Sequence, residues 1–289
     1  MSYNIDDGFC PWYSLTYSLT CEITSQGVCM QLFDTHAHIG LLQDDKMEQL
    51  LAVQFAKMKS VRHIVSICNS LSDFERTYAN LESAESVFHA VGVSPTEVTN
   101  PGKNWEERVI SHAQKKRVIA IGETGLDYYH MFGGDKTLQI ELMLKHLEIA
   151  KHLDLPIIIH NRSAGEDLLP ILSTKLPPKG GILHCYGEDW TFAKRALQLP
   201  LTFSFAGNVT FRSSRALQEV AMRLPLERIV IESEAPFMTP YAYKGERNKL
   251  HYIIETAKTL AQLRHISLEE LCENLYANSL RAFALPKDL

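Results

Sequence analysis

The chain has 289 residues, of which 45% are hydrophobic and 22% charged, a composition ordinary for a globular protein. Its formal net charge of -5 at pH 7 excludes a surface that coats polyanions in general, so any contact with nucleic acid needs a local basic patch. No apolar run approaches the roughly 18–20 residues of a membrane span, so we expect no membrane contact.

Residues 1–29 differ from the rest of the chain. They carry three of its six cysteines and show no hydrophobic period, and Met30 stands directly before the first predicted strand. None of the cysteines forms a CxxC pair, and the N-terminus lacks a basic region followed by an apolar one, which favours free thiols and a cytoplasmic location. We expect residues 1–29 to be an extension and residues 30–289 to form one domain, with no obligate protein partner indicated.

From residue 30 onward, short β-branched runs alternate with segments of helical spacing. The first predicted helix carries Met47, Leu51, Phe55 and Met58 on one face, and Ser267 with Glu270 predicts the start of the last helix as a capping box. The runs predict eight strands, at residues 31–35, 62–68, 87–93, 118–123, 156–160, 181–185, 201–205 and 228–232.

Near-continuous apolar strands that alternate with amphipathic helices indicate a parallel sheet covered by helices. Eight such units in residues 30–289 fit a closed (β/α)8 barrel of the TIM type, which usually takes about 250 residues. An open, doubly wound α/β sheet is the alternative. It is disfavoured because no glycine-rich phosphate-binding fingerprint follows the first strand.

The first predicted strand ends in two histidines, His36 and His38, separated by one residue. Side chains alternate along a strand, so both imidazoles point to the same side and can bind one metal ion. Neutral imidazole suits zinc and similar divalent metals. The pair alone is weak evidence in a chain with twelve histidines, so further ligands have to come from other strand ends.

Later strand ends supply such ligands. In barrels of this kind the chemistry lies at the C-terminal ends of the strands. A carboxylate can bridge two cations, which histidine cannot do, so the set suits two metal ions about 3.5–4 Å apart that share an activated water. The alternative is a group of histidines hydrogen-bonded inside the barrel. The residues at these later ends are Glu123, His160, His184, Glu232 and Glu234.

Five ordered motifs resemble those of the TatD-related metal-dependent deoxyribonucleases. They are Phe-Asp-Thr-His-Ala-His at 33–38, Gly-Glu-Thr-Gly-Leu-Asp-Tyr at 122–128, Ile-His-Asn-Arg at 159–162, Leu-His-Cys-Tyr at 183–186 and Ile-Glu-Ser-Glu-Ala-Pro at 231–236. The resemblance implies a barrel of the amidohydrolase type that hydrolyses DNA phosphodiester bonds. It also implies two divalent metal ions, whether zinc, magnesium or manganese, and DNA as the substrate.

The resemblance implies a role for each strand end. His36 and His38 would hold one metal, Glu123 would bridge, and His160 and His184 would hold the second. On the last strand the family has Glu-Thr-Asp-x-Pro, so Glu234, one methylene longer, stands where the family has the ligand Asp. We expect Glu234 to be a metal ligand that also positions the attacking water or accepts its proton, and Glu232 to have a supporting role.

Arg162 is a further candidate catalytic residue. Its guanidinium either holds a substrate phosphate, together with Lys244 or Arg247, or pairs with Glu123 or Asp127 across the rim. Two other functions stay open: hydrolysis of a small amide, ester or lactone, and a non-catalytic metal-bound barrel that binds a partner. A positive rim favours the nuclease, whereas an enclosed apolar pocket favours the small-molecule hydrolase.

Overall fold

The computed structural model describes residues 30–131 and 135–289, so the expectation about residues 1–29 lies outside the described residues. The described part contains one sheet of eight parallel strands, in which each strand pairs with the next along the chain. All eight predicted strands are present. They are β1 (Leu32–Ala37), β2 (Val61–Ser66), β3 (Val87–Val91), β4 (Val118–Asp127), β5 (Ile157–Arg162), β6 (Gly181–Leu183), β7 (Leu201–Phe205) and β8 (Ile229–Ile231).

Helices follow the strands and cover the outside of the sheet. Several begin with a side-chain cap; Ser267 Oγ, for example, accepts a hydrogen bond from the backbone N–H of Glu270 at 3.0 Å, at the predicted start of the last helix. The described α-helices are α1 (Ile39–Leu42), α2 (Lys46–Met58), α3 (Leu71–Leu81), α4 (Trp105–Ala113), α5 (Lys136–His152), α6 (Gly165–Lys175), α7 (Trp190–Ala196), α8 (Arg215–Arg223), α9 (Ile253–Arg264) and α10 (Leu268–Ala282). None of them is long and apolar enough to cross a membrane.

The sheet curves into a nearly closed barrel, and β8 returns to β1. Just beyond β8, the N–H of Glu234 donates to the carbonyl of His36 at 3.0 Å, and the N–H of His38 donates to the carbonyl of Ala235 at 2.9 Å. This is the predicted (β/α)8 barrel of the TIM type. We call this contact between β1 and the segment after β8 the seam. It places that segment directly against His36 and His38.

The interior of the barrel is filled by side chains, and its N-terminal end is covered by α10. Phe33 and Phe88 stack inside the barrel, and Phe283, just after α10, stacks on Phe33 from below. The hydroxyl of Tyr276 on α10 bonds Nδ1 of His63 on β2 at 2.8 Å. A closed lower end leaves the upper rim, where the strands finish, as the place for chemistry.

Helix α2 buries a different face from the one its largest apolar residues occupy. Met47, Leu51, Phe55 and Met58 are 42–63% exposed, although they share one side of the helix as their spacing predicts. The buried side consists of Gln49, Val53 and Ala56. These smaller side chains let the helix pack close to its neighbours.

Strand β4 is longer than its predicted range of 118–123 and reaches Asp127. The extra residues pair with the end of β5, Gly125 opposite His160 and Asp127 opposite Arg162. Gly125 has φ +142°, and a Cβ there would lie 2.0 Å from the carbonyl oxygen of His160. Only glycine fits this approach, which places Glu123 inside a strand rather than at its end.

Candidate metal centre

His36 and His38 stand at the end of β1, and both side chains lie on one side, as the alternation of side chains along a strand predicts. Their Nε2 atoms are 3.3 Å apart. Both residues are buried. The carboxylate of Asp34 holds the local backbone, because its Oδ1 accepts hydrogen bonds from the N–H of His36 and from the N–H of Ser233 beyond β8. The two ends of the seam are therefore tied together below the histidines.

Four side chains form what we call the inner cluster: His36, His38, Glu234 and the Oε2 atom of Glu123. Glu234 Oε2 lies 3.3 Å from Nε2 of His36 and 3.9 Å from that of His38. Glu123 Oε2 lies 3.6 and 3.8 Å from the same two atoms. A tetrahedral zinc ion with bonds of 2.0–2.1 Å separates neighbouring donor atoms by about 3.3 Å, so the spacing suits a four-ligand site.

The other oxygen of Glu123 belongs to what we call the outer cluster, with His160 and His184. Glu123 Oε1 lies 2.9 Å from His160 Nδ1 and 3.3 Å from His184 Nε2, and these two nitrogens are 3.0 Å apart. One carboxylate thus directs one oxygen to each cluster. That is the arrangement that bridging of two ions requires.

The protonation states of His36, His38 and Glu123 fit metal ligands, whereas neighbouring carboxylates raise the pKa of His160 and of His184 against the effect of burial. Burial lowers the pKa of His36 and of His38, so both rings stay neutral. Burial alone would raise the pKa of Glu123, but His184 and His160 outweigh it and hold that pKa well below its usual range. Neutral imidazoles and an ionised carboxylate are the forms that bind a divalent ion.

Glu234 gives the clearest indication that a cation fits here. Burial, opposed by His184 and reinforced by Glu232 and Glu123, raises the pKa of Glu234 well above its usual range. Its Oε2 atom is buried and has no hydrogen-bond partner among the described residues. A buried carboxylate oxygen without a donor needs a compensating charge, and a cation held with His36 and His38 supplies one.

Glu232 lies on the far side of His184. Its Oε1 accepts a hydrogen bond from the backbone N–H of Cys185 at 2.8 Å and lies 3.4 Å from Nδ1 of His184. Glu234, and not Glu232, therefore faces the two histidines of β1. Donor atoms of His184, Glu232 and Glu234 also lie within 4.8 Å of one another, so the two carboxylates share one neighbourhood.

Asp127 contributes to the site in a way that the sequence analysis missed. Its Oδ2 lies 3.2 Å from Nε2 of His160 and 3.0 Å from Nδ1 of His130. Burial alone would raise the pKa of Asp127, but these hydrogen bonds lower it. Asp127 follows Glu123 by four residues on one strand, and this even spacing was the available signal.

Arg162 pairs with neither carboxylate considered for it. Its exposed guanidinium lies over the ring of Tyr129, 4.5 Å from the ring centroid. Tyr129 is 65% exposed, and on the opposite side of the rim Phe237 contacts the ring of His38 and is 48% exposed. Arg247 donates to the carbonyl of Leu41, while Lys244 is exposed beyond β8.

A cleft of about 430 Å³ lies between the segments that follow β5 and β6. Asn161 on β5 donates to Glu188 at its edge. Its lining carries both signs of charge and includes Tyr128, Lys136, Asp167, Glu188 and Arg195.

Comparison with known proteins identifies the family. The family model described as TatD related DNase matches residues 33–284. The chain belongs to this family. Its TatD-type barrel is similar to the crystal structure of YjjV, a TatD homolog from Escherichia coli K12, with a TM-score of 0.82 and 25% identity over 89% of this chain and 99% of that one.

Two relatives agree with a TatD-family hydrolase. The uncharacterized metal-dependent hydrolase YabD of Bacillus subtilis is 33% identical over 259 residues, which cover 88% of this chain and 99% of YabD. The uncharacterized metal-dependent hydrolase YcfH of Escherichia coli K12 is 31% identical over 257 residues, 88% of this chain and 96% of YcfH. This TatD-family chain is therefore a metal-dependent hydrolase.

Proposed function

We propose that the chain hydrolyses phosphodiester bonds of DNA with the help of two divalent ions, one in each cluster. The observation that carries the proposal is the placement of Glu123, whose Oε2 faces His36 and His38 and whose Oε1 faces His160 and His184. A single-ion hydrolase has no need for such a divided carboxylate. The family description as a DNase supports phosphodiesters as the bond that is cleaved.

Two divalent ions held by these clusters would lower the pKa of a bound water towards about 7 and would offset the negative charge that develops on the phosphate. The protein provides the rest. Glu234 positions the attacking water or accepts its proton, through the carboxylate oxygen that is left when Oε2 faces His36 and His38. Arg162 binds a phosphate oxygen through its planar guanidinium.

The rim favours nucleic acid over a small amide, ester or lactone. Exposed aromatic rings stand on both sides of the centre, Tyr129 beside Arg162 and Phe237 beside His38, with Tyr241 52% exposed further along the same segment. Aromatic rings next to cations are the surfaces on which nucleobases stack while phosphates are held.

The test is release of nucleotides from DNA by the metal-loaded protein. We expect cleavage that stops with EDTA and that is lost in His36→Ala and in Glu123→Gln. Arg162→Ala should weaken DNA binding and reduce its salt dependence. Arg223→Ala is a matched control, because Arg223 also lies over an aromatic ring, Trp190, but ends α8 rather than a barrel strand.

Cleavage of a lactone or amide by a preparation that leaves DNA intact would refute the nuclease proposal. A preparation that binds both ions and cleaves none of these substrates would favour a barrel that acts through a partner.

A further inference from the structure

We infer that the two clusters bind their ions with unequal affinity, and that the outer cluster fills first because Asp127 and Glu232 position its histidines. The inference rests on the proposed two-ion function but concerns the order of loading, not the substrate.

The outer cluster has a carboxylate beside the far nitrogen of each histidine. Asp127 Oδ2 accepts the hydrogen bond from Nε2 of His160, which leaves the lone pair of Nδ1 directed at Glu123. Glu232 Oε1 lies 3.4 Å from Nδ1 of His184, whose Nε2 faces the same Glu123 oxygen. The ring of His160 is thus held with Nδ1 towards the centre, whereas Glu232 lies at ion-pair distance from Nδ1 of His184 without a hydrogen bond to it.

Both positioning carboxylates are themselves fixed by the backbone. Asp127 Oδ1 accepts from the N–H of Tyr129 at 3.0 Å and from the N–H of His130 at 2.9 Å. Glu232 Oε1 accepts from the N–H of Cys185. Neither carboxylate has to be ordered when an ion arrives, so their effect on the histidines is available without further cost in conformational entropy.

The inner cluster lacks this support. Nδ1 of His36 and Nδ1 of His38 are buried, and neither has a hydrogen-bond partner among the described residues. Nothing there selects the ring tautomer or raises the basicity of the ligating nitrogen. Its fourth donor, Glu234, has one more rotatable bond than aspartate, and its Oε2 also lies 3.8 Å from Nδ1 of His184.

The distribution of carboxylates also favours the outer cluster as the tighter site. A carboxylate lies behind each ring of the outer cluster, Asp127 beyond His160 and Glu232 beyond His184, whereas the far nitrogens of His36 and His38 have no hydrogen-bond partner among the described residues. Loss of such a supporting partner typically costs a metal site 10–100-fold in affinity. We therefore expect the first ion to bind at least about 10-fold more tightly than the second.

Titration of the chelator-stripped full chain with Zn²⁺, in competition with a chromophoric chelator, tests this order. Two steps are expected. His160→Gln should remove the tight step and leave the weak one, and His38→Gln should do the reverse. A single step with equal affinities, or a tight step that survives His160→Gln and disappears in His38→Gln, would overturn the inference.

Asp127→Asn tests positioning directly. The amide oxygen still serves the N–H groups of Tyr129 and His130, so the turn is kept, but the NH2 group that replaces Oδ2 is a donor and cannot accept from Nε2 of His160. We expect the tight step to weaken about 10–100-fold while the weak step is unchanged. Glu219→Gln, on the exposed ion pair with Arg223, is the control and should change neither step.

Equal weakening of both steps in Asp127→Asn would contradict a positioning role. The outcomes also separate this inference from the proposed function. Uptake of no divalent ion would remove both proposals. Two unequal steps in a protein that leaves DNA intact would uphold the order of loading and refute only the nuclease.

Discussion

Glu234 is the residue at which this chain departs from its family motif. It has φ +56° and projects its carboxylate towards the histidines of β1 despite the extra methylene. The left-handed backbone there changes the direction of the side chain, which spacing along the strand does not reveal. The geometry supports Glu234 as the ligand and leaves Glu232 with His184.

Variants of the two glutamates separate these roles. We expect Glu234→Asp to keep or raise turnover, because it restores the family ligand. Glu234→Ala should lose the inner ion and about 10²-fold in rate, the scale of a 1 Å misplacement. Turnover and metal content should be measured together. A fully active Glu234→Ala beside an inactive Glu232→Ala would reverse the assignment.

Most of the site could be predicted from residue type and position. The six proposed ligands follow the pattern of polar side chains at strand ends, and the structure brings all six together. The link from Asp127 to His160 could not be predicted, because it depends on how far β4 and β5 pair beyond the barrel wall. The position of Arg162 over Tyr129 depends likewise on side-chain packing at the rim.

At the scale of elements, β4 and α2 show what patterning misses. The predicted fourth strand ends at Glu123, whereas pairing with β5 extends the strand to Asp127. The predicted helix after β1 exists, but its large apolar side chains are exposed. Spacing defines a face of a helix, whereas burial depends on which face can approach the strands.

Gly125→Ala should disrupt the extension of β4. The new Cβ meets the carbonyl of His160, and the residue is forced into a conformation that favours glycine, at a cost of about 1–3 kcal/mol. We expect a lower melting temperature and loss of the outer ion. Gly245→Ala is the matched control, since it also has positive φ but no atom within 4 Å of its Cβ position. Equal effects of the two would show that backbone strain alone is responsible.

His146 on α5 should make stability fall in acid. Its Nε2 accepts from the N–H of Val93 and its Nδ1 donates to the carbonyl of Leu142, so only the neutral ring fits, and burial lowers its pKa to about 4. The unfolded chain takes up this proton below about 6.5 and the folded chain only near 4. The neutral ring therefore contributes up to about 3 kcal/mol to the free energy of unfolding. This contribution is complete above pH 6.5 and is lost as the pH falls towards 4.

Urea unfolding of the chelator-treated chain and of His146→Gln, at pH 7.5 and pH 4.5, measures this effect. The variant should be less stable than the parent at pH 7.5, with the gap narrowing at pH 4.5. If the difference in unfolding free energy between the parent and the variant is the same at both pH values, His146 has the same pKa in the folded and the unfolded chain.

For the whole molecule, alternation of strands and helices was enough to predict the barrel, since eight β/α units of this length have few other ways to close. The cover of its lower end by α10 could not be predicted in the same way. It depends on long-range contacts of Phe283 and Tyr276 with β1 and β2, which leave no local pattern.

A chain that starts at Met30 should fold and take up its ions. Residues 30–289 include all eight strands and the helix that covers the lower end, and the family match begins only at residue 33. Melting temperature and zinc content, compared with those of the full chain, test this. An insoluble or metal-free product would show that residues 1–29 complete the barrel.

The position of Glu123 within β4 has a consequence for motion during turnover. It lies between Ile121 and Thr124, both paired with β5, so the sheet holds the bridging carboxylate. Glu234 follows β8 on a segment outside the strands. We expect amides near Glu123 to exchange with solvent only on global unfolding, whereas amides from Glu234 to Met238 exchange through local opening. The bridging carboxylate would then stay fixed during turnover, while Glu234 is the candidate ligand that can move.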